Sequence, residues 1–254
     1  MDLFGSFVIA CSMYSRIPMP QVDWTENRMK YAMCFFPLVG VVTGILEVIL
    51  GNALLAYTSC GTLFFAGVMT LLPVLVNGGI HMDGFLDTMD ALNSYGSREK
   101  KLEILKDSRT GAFAVIGFGL YLVASLALWS EAEPEMLPVI GAGYVMSRSL
   151  SGLSVMVFPS AKKDGLGRTF QEQAHRKRVA VVMGCWFFAA LAVMLMTSVQ
   201  MGAAALCTAL LVFWYYHHMA MKQFGGMTGD LAGYFLQLAE LLILAAVIVA
   251  GGAL

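Results

Sequence analysis

Seven runs of mostly apolar residues, 31–50, 61–80, 111–129, 137–158, 179–197, 201–221 and 231–250, take up more than half of this 254-residue chain. As helix, each is about the length needed to cross a hydrocarbon core roughly 30 Å thick. In lipid every backbone N–H and C=O needs an internal partner, and unbroken apolar runs meet that need as helices. The charged fraction, 13%, is about half of what soluble domains carry, roughly 25%. The chain therefore reads as an all-α integral membrane protein, a polytopic bundle of about seven transmembrane helices. With no soluble domain, repeat or low-complexity tract, residues 1–254 read as one membrane-embedded domain. Residues 3–15 are apolar but short, and Pro18 and Pro20 follow, so they suit an interfacial or half-inserted helix. Without a basic lead-in or a small-residue cleavage site, no removed signal peptide is expected.

Lys and Arg occupy alternate connections only. Arg16, Arg28 and Lys30 precede the first run. Arg98, Lys100, Lys101, Lys106 and Arg109 follow the second, Lys162, Lys163, Arg168, Arg176, Lys177 and Arg178 the fourth, and Lys222 the sixth. By the positive-inside rule these connections face the cytoplasm. The net charge of −1 gives no long-range field for nucleic acid, and the local basic residues suit lipid head groups. Residues 98–106, with Leu102 and Leu105 among alternating charges, suit an amphipathic surface helix. The five cysteines lack C-x-x-C spacing and read as packing residues.

On the cytoplasmic side of the second run stands Gly78-Gly79-Ile80-His81-Met82-Asp83-Gly84-Phe85-Leu86-Asp87-Thr88-Met89-Asp90. At about 100° per residue Asp83, Asp87 and Asp90 share one helical stripe. Like charges on one stripe repel, and a divalent cation rewards their convergence; oxygen-only ligands favour Mg²⁺. Asp107 and Arg109 lie just before the third run, Asp107 as a further carboxylate or a helix cap, Arg109 as a phosphate clamp or a lipid contact. Gly225-Gly226-Met227-Thr228-Gly229-Asp230 is a turn whose glycines let backbone N–H groups approach a phosphate, and Asp230 suits a metal or a cap. Glu47, Arg148 and Glu240 fall inside apolar runs and are expected to face the bundle interior, Arg148 and Glu240 either paired or reaching a substrate. His81 reads as a ligand partner, a proton carrier or a plain interfacial histidine, and His217 and His218 as interfacial. No P-loop, H-E-x-x-H or G-x-S-x-G string occurs. Clustered carboxylates, an arginine and a glycine turn on one side of the membrane point to Mg²⁺-dependent chemistry on a phosphate or diphosphate.

Seven ordered blocks then carry a resemblance. They are Ser15-Arg16-Ile17-Pro18-Met19-Pro20, Phe36-Pro37-Leu38-Val39-Gly40, the Gly78 to Asp90 stretch, Leu102-Glu103-Ile104-Leu105-Lys106-Asp107-Ser108-Arg109-Thr110-Gly111, Ser147-Arg148 with Gly165-Leu166-Gly167, the Gly225 to Asp230 turn, and Glu240-Leu241. Together they resemble the cobalamin synthase family, adenosylcobinamide-GDP ribazoletransferases. Where the family pattern has leucine, alanine and a closing glycine, this chain has Phe85, Leu86 and Ala91; all three carboxylates stay. The resemblance implies joining of adenosylcobinamide-GDP to α-ribazole or α-ribazole 5′-phosphate, with release of GMP, in the cytoplasmic membrane. It implies catalytic roles among Asp83, Asp87, Asp90 and Asp107, with Mg²⁺ on the first three. Substrate contacts would come from His81, Arg109, Arg148, Gly225, Gly226, Asp230 and Glu240. The oligomeric state stays open, a homo-oligomer included. A CDP-alcohol phosphotransferase would need Ala-Arg soon after Asp83-Gly84, and a cation transporter would place its carboxylates near the midplane.

Overall fold

A computed structural model describes residues 2–162 and 166–252; Lys163 and Gly165, both singled out above, lie outside the described residues. Among the described residues there are twelve α-helices and no strand. They are α1 (Leu3–Tyr14), α2 (Glu26–Ala32), α3 (Phe36–Tyr57), α4 (Thr62–Asn77), α5 (Ile80–Asn93), α6 (Arg98–Ile104), α7 (Ala112–Trp129), α8 (Leu137–Val157), α9 (Leu166–Gln173), α10 (Arg176–Thr197), α11 (Val199–Met219) and α12 (Gly229–Gly251). Five helical stretches are by themselves long and apolar enough to cross a membrane: Glu26–Tyr57, which joins α2 to α3, then α7, α10, Val199–Phe224 and α12. The chain is thus an all-helical membrane bundle.

The second and fourth apolar runs depart from simple spans. α4 ends at Asn77, because Gly78 and Gly79 take left-handed backbone (φ +65° and +80°), a conformation other residues adopt only under strain. α5 then leaves at 97° to α4, so the acidic helix turns out of the crossing direction instead of extending it. α8 is the buried centre of the molecule, with 18 of its 21 residues shielded. Its serines and Arg148 make it less apolar than its neighbours, yet Ser149 and Ser154 return their hydroxyls to carbonyls three residues back and so bury no open donor.

Small residues let the helices close on α8. A Cβ at Gly44 of α3 would strike the Gly141 carbonyl of α8, and one at Gly40 would meet the Tyr144 carbonyl at 2.5 Å. In lipid, where no hydrophobic drive favours one apolar contact over another, such close backbone approach supplies the packing. Arg148 sits wholly inside this core. Its Nη1 donates to Glu240 Oε1 at 2.6 Å and to the Tyr144 carbonyl at 2.9 Å, while Ser147 Oγ donates to the same carboxylate. Glu47 accepts from the Tyr144 hydroxyl at 3.3 Å. Of the two readings of Arg148 and Glu240, the structure carries the buried pair.

α1 packs on α2 and on the start of α3. Asp2 caps it through the Gly5 amide and pairs with Arg28 at 2.7 Å. Its last residue, Tyr14, reaches the site described next. α6 forms where the amphipathic pattern places it, and Lys101 crosses from it to Gln223 at 2.6 Å.

Candidate active site

Two glycines bring the acidic residues together. A Cβ at Gly84 of α5 would lie 2.8 Å from the Asp230 carbonyl and 3.0 Å from its Cα. A Cβ at Gly233 of α12 would lie 3.1 Å from the His81 carbonyl. The N-terminal turns of α5 and α12 therefore touch backbone to backbone. This contact sets Asp83 and Asp87, one helical turn apart, against Asp230, a residue about 140 positions later.

The glycine turn acts differently from an anion nest. Gly225 N–H is given to the Met221 carbonyl and Gly226 N–H to the Ala220 carbonyl, so neither amide is open to a phosphate. Gly225 holds φ +79° at the end of a π-turn over Ala220–Phe224. Gly226 lets the backbone reach the 159–161 loop: a Cβ there would lie 2.7 Å from the Ala161 amide. Met227 N–H donates to the Pro159 carbonyl at 2.8 Å, and Ala161 N–H to the Met227 carbonyl at 2.9 Å. That clasp delivers Lys162, whose Nζ lies 2.9 Å from Asp230 Oδ2 and 3.3 Å from the Leu105 carbonyl. Gly225 and Gly226 thus position a lysine. Sequence reading gave that lysine only a topological role; the missed signal was the pairing of two loops, which no local spacing reveals.

Nor is Asp230 the helix cap. Thr228 accepts from Leu231 N–H at the start of α12, leaving the Asp230 carboxylate to Lys162 and the site. Asp90, whose charge also adds to the rise at Asp87, has backbone partners of its own. Its oxygens accept from Gly111 N–H at 2.7 Å and Ala114 N–H at 2.9 Å, so it caps α7 from a neighbouring helix, where the helix dipole favours an anion. Asp107, expected as a carboxylate or a cap, caps nothing; it accepts from the backbone and guanidinium of Arg109, which hold its carboxyl down at about 2. Arg109 is 87% exposed, and this loop borders the cluster through the Leu105–Lys162 hydrogen bond.

Asp87 is half-buried. Burial pushes its carboxyl up to about 6, the negative charges of Asp83 and Asp230 add to the rise, and Lys162 opposes it. Among the described residues no three Asp, Glu, His or Cys side chains form a closed metal cage. The donors are oxygens alone, and their crowding raises Asp87 in spite of Lys162. That fits a hard divalent cation held by one or two carboxylates, waters and substrate phosphates better than it fits a caged metal.

A cavity of about 380 Å³ is lined by the charged Asp83, Lys162, Arg168 and Asp230 and by Tyr14, Met33, Phe36, His81 and Phe170, among others. Arg148 and Glu240 do not line it. A separate hollow of about 350 Å³ between α3, α8 and α10 holds aliphatic residues and Trp186 and no ionisable group.

Residues 6–248 match the family model described as Cobalamin-5-phosphate synthase. A Lachnoclostridium phytofermentans protein named adenosylcobinamide-GDP ribazoletransferase is 43% identical over 255 residues, covering 99% of this chain and 96% of that protein. A protein of the same name from Clostridium botulinum strain Alaska E43 is 30% identical, covering 94% and 95%. One from Clostridium perfringens strain SM101 is 30% identical, covering 90% and 91%. No solved structure matches the chain.

Proposed function

Since the chain belongs to the cobalamin-5-phosphate synthase family, we propose that it joins adenosylcobinamide-GDP to α-ribazole or α-ribazole 5′-phosphate, releasing GMP and giving adenosylcobalamin or its 5′-phosphate. In this reaction the ribose 3′-hydroxyl attacks the phosphate on the aminopropanol arm of cobinamide. The O3′–P bond forms, the bond to GMP breaks, and the hydroxyl proton passes to a carboxylate facing the cavity, Asp83 or Asp230. The observation that carries this reading is the α5–α12 contact at Gly84 and Gly233, beside which Asp83, Asp230 and Lys162 line one cavity, with Asp87 one helical turn beyond Asp83.

Each residue has a task in that scheme. Asp83 and Asp87 would hold Mg²⁺, which when bound offsets diphosphate charge. Lys162, a compact cation, neutralises a phosphate oxygen while keeping Asp230 in place. Arg109, exposed on the adjoining loop, receives the outer phosphate or the guanosine end of the donor. Asp90 fixes α7 against α5. Arg148 and Glu240 hold α8 to α12 beneath the cavity, as positioning residues. The alternate basic connections support a mouth on the cytoplasmic face of the cell membrane, the side that a cytoplasmic nucleotide substrate requires.

Liposomes holding the purified chain distinguish this from ion transport. The proposal expects GMP release only when adenosylcobinamide-GDP and α-ribazole or its phosphate are both present, with Mg²⁺. Cation flux across the liposomes without GMP release would favour a transporter and overturn it.

A further inference from the structure

Two cations line the cavity, and they are held differently. Lys162 is tied to the transfer centre, with its Nζ on Asp230 Oδ2 and on the Leu105 carbonyl. Arg168 comes from α9, and among the described residues its ion pair is with Glu172, one turn on in the same helix; the two side chains are 40% and 59% exposed. A pair of this kind on a helix surface contributes little, so a better anion displaces the carboxylate at small cost. The helix that carries Arg168 is itself anchored: Phe170 is buried, and Gln171 donates to the Val155 and Phe158 carbonyls. Other donors in the lining are spent or enclosed. The Ser160 hydroxyl goes to the Lys162 carbonyl and the Thr228 hydroxyl to Asp230, while the His81 nitrogens are shut in. Among the described residues, Arg168 is the lining cation that the carboxylates of the transfer centre do not hold.

The transfer proposed above brings phosphate to this cavity from two molecules. The donor's two phosphates share an oxygen, so both stay close to the Mg²⁺, Lys162 and Arg109 already assigned to them. α-Ribazole 5′-phosphate carries a separate phosphate on C5′, with a charge of about −1.5 to −2 at pH 7. Asp83 and Asp230 repel that group, and without a cation of its own it would give up its hydration for nothing. A guanidinium answers it with a planar fork of N–H donors, which meets two phosphate oxygens at once. The two arginines also approach from different elements: α9 packs on α2 and α8, whereas Arg109 follows α6, which packs on α5 and the π-turn. We propose that Arg168 receives the 5′-phosphate of the ribazole acceptor in exchange for Glu172, and thereby selects α-ribazole 5′-phosphate over unphosphorylated α-ribazole. This assignment rests on the ribazole transfer proposed above, and it makes Arg168 a specificity residue with no part in bond making.

Two measurements on the full chain in lipid nanodiscs test it: GMP release with each acceptor in turn, and titration calorimetry with α-ribazole 5′-phosphate in the absence of the donor. Wild type should favour the phosphorylated acceptor in kcat/KM by roughly 10-fold or more, the scale of a charge-assisted hydrogen-bonded pair. Arg168→Gln should remove that advantage while kcat/KM for α-ribazole and the KM for adenosylcobinamide-GDP stay as in wild type. Arg168→Lys, which keeps the charge and loses the fork, should recover part of it. Glu172→Gln supplies the contrast, because it breaks the same pair within α9 but clears the competing carboxylate; affinity for α-ribazole 5′-phosphate should then rise about twofold. A role confined to the stability of α9 would move Arg168→Gln and Glu172→Gln in the same direction and lower both acceptors alike, and either result overturns the assignment. A wild type without preference between the acceptors, or a raised KM for adenosylcobinamide-GDP in Arg168→Gln, overturns it too. If no acceptor yields GMP but calorimetry shows this dependence on Arg168, the transfer reaction fails and the phosphate site stands.

Discussion

Gly84→Ala isolates the contact on which the site depends. The added Cβ would sit 2.8 Å from the Asp230 carbonyl oxygen, and ordinary contact begins near 3.4 Å, so α5 and α12 must part by about 0.6 Å. The obstacles are backbone atoms, O, Cα and C of Asp230, so no side chain can swing aside. Overpacking of this kind costs about 1–3 kcal/mol. Alanine in place of a helical glycine returns about 1 kcal/mol of that. The net loss of stability is then about 0–2 kcal/mol, small enough for the protein to stay folded. Catalysis is less tolerant: a shift approaching 1 Å between groups that hold reacting atoms costs on the order of 100-fold. The assay pairs thermal unfolding in nanodiscs with GMP release. The expected result is a small drop in Tm with kcat/KM down by roughly 30- to 100-fold. A folded Gly84→Ala protein with wild-type kcat/KM would show that the spacing between α5 and α12 does not govern the reaction.

Three further outcomes follow from the geometry. Thr228→Ala removes the cap of α12 and should cost about 1 kcal/mol of stability with the rate per folded molecule nearly kept, whereas Asp230→Ala should leave helix stability near wild type and cut the rate; paired unfolding and turnover curves check both, and the reverse pattern would return the cap to Asp230. Asp87 carries a folded-state pKa raised to about 6 from 3.8, so between those values the folded protein takes up a proton that the unfolded chain does not; metal-free protein should gain stability as pH falls from about 6 to about 4, an effect missing in Asp87→Asn, and identical Tm-versus-pH curves for the two proteins would contradict it. Asp107, lowered to about 2, acts in the opposite sense, with stability lost only below about pH 4. In a cysteine-free background, single cysteines at Ser108 and Glu133, both exposed, should be respectively protected from and labelled by an impermeant thiol reagent outside intact cells, and reversed labelling would put the site on the wrong face.

The helical membrane fold was legible because apolar length and alternating charge are local properties that lipid enforces directly. The acidic helix was legible too, since the spacing of Asp83 and Asp87 fixes one face. What sequence did not reveal was contact between distant segments. Asp90 shares the stripe by angle, but its carboxylate is taken by amides at the start of α7, 21 and 24 residues away. The glycine turn has the composition of a phosphate nest, yet its amides close the π-turn and its bare Cα positions admit the loop that brings in Lys162. His81 kept three readings and Tyr14 had none, because a single residue beside a span carries no sign of a cavity. Gly233, three positions after Asp230, had no reading at all, since the need for a missing Cβ appears only when α5 lies against it. Arg148 and Glu240 were correctly turned inward by the cost of charge in lipid, and their pairing was one of two outcomes that cost permits.

The central claim is that phosphoryl transfer takes place at the carboxylates where α5 meets α12. The most direct test compares wild type with Asp83→Asn, a change that keeps size and removes charge, for GMP release from adenosylcobinamide-GDP and α-ribazole over a range of Mg²⁺ concentrations, with Tm recorded for each protein. The account predicts an unchanged fold, a rate at least roughly 100-fold lower, and loss of the Mg²⁺ dependence seen in wild type. Asp83→Asn turning over at the wild-type rate, with the wild-type response to limiting Mg²⁺, would contradict it.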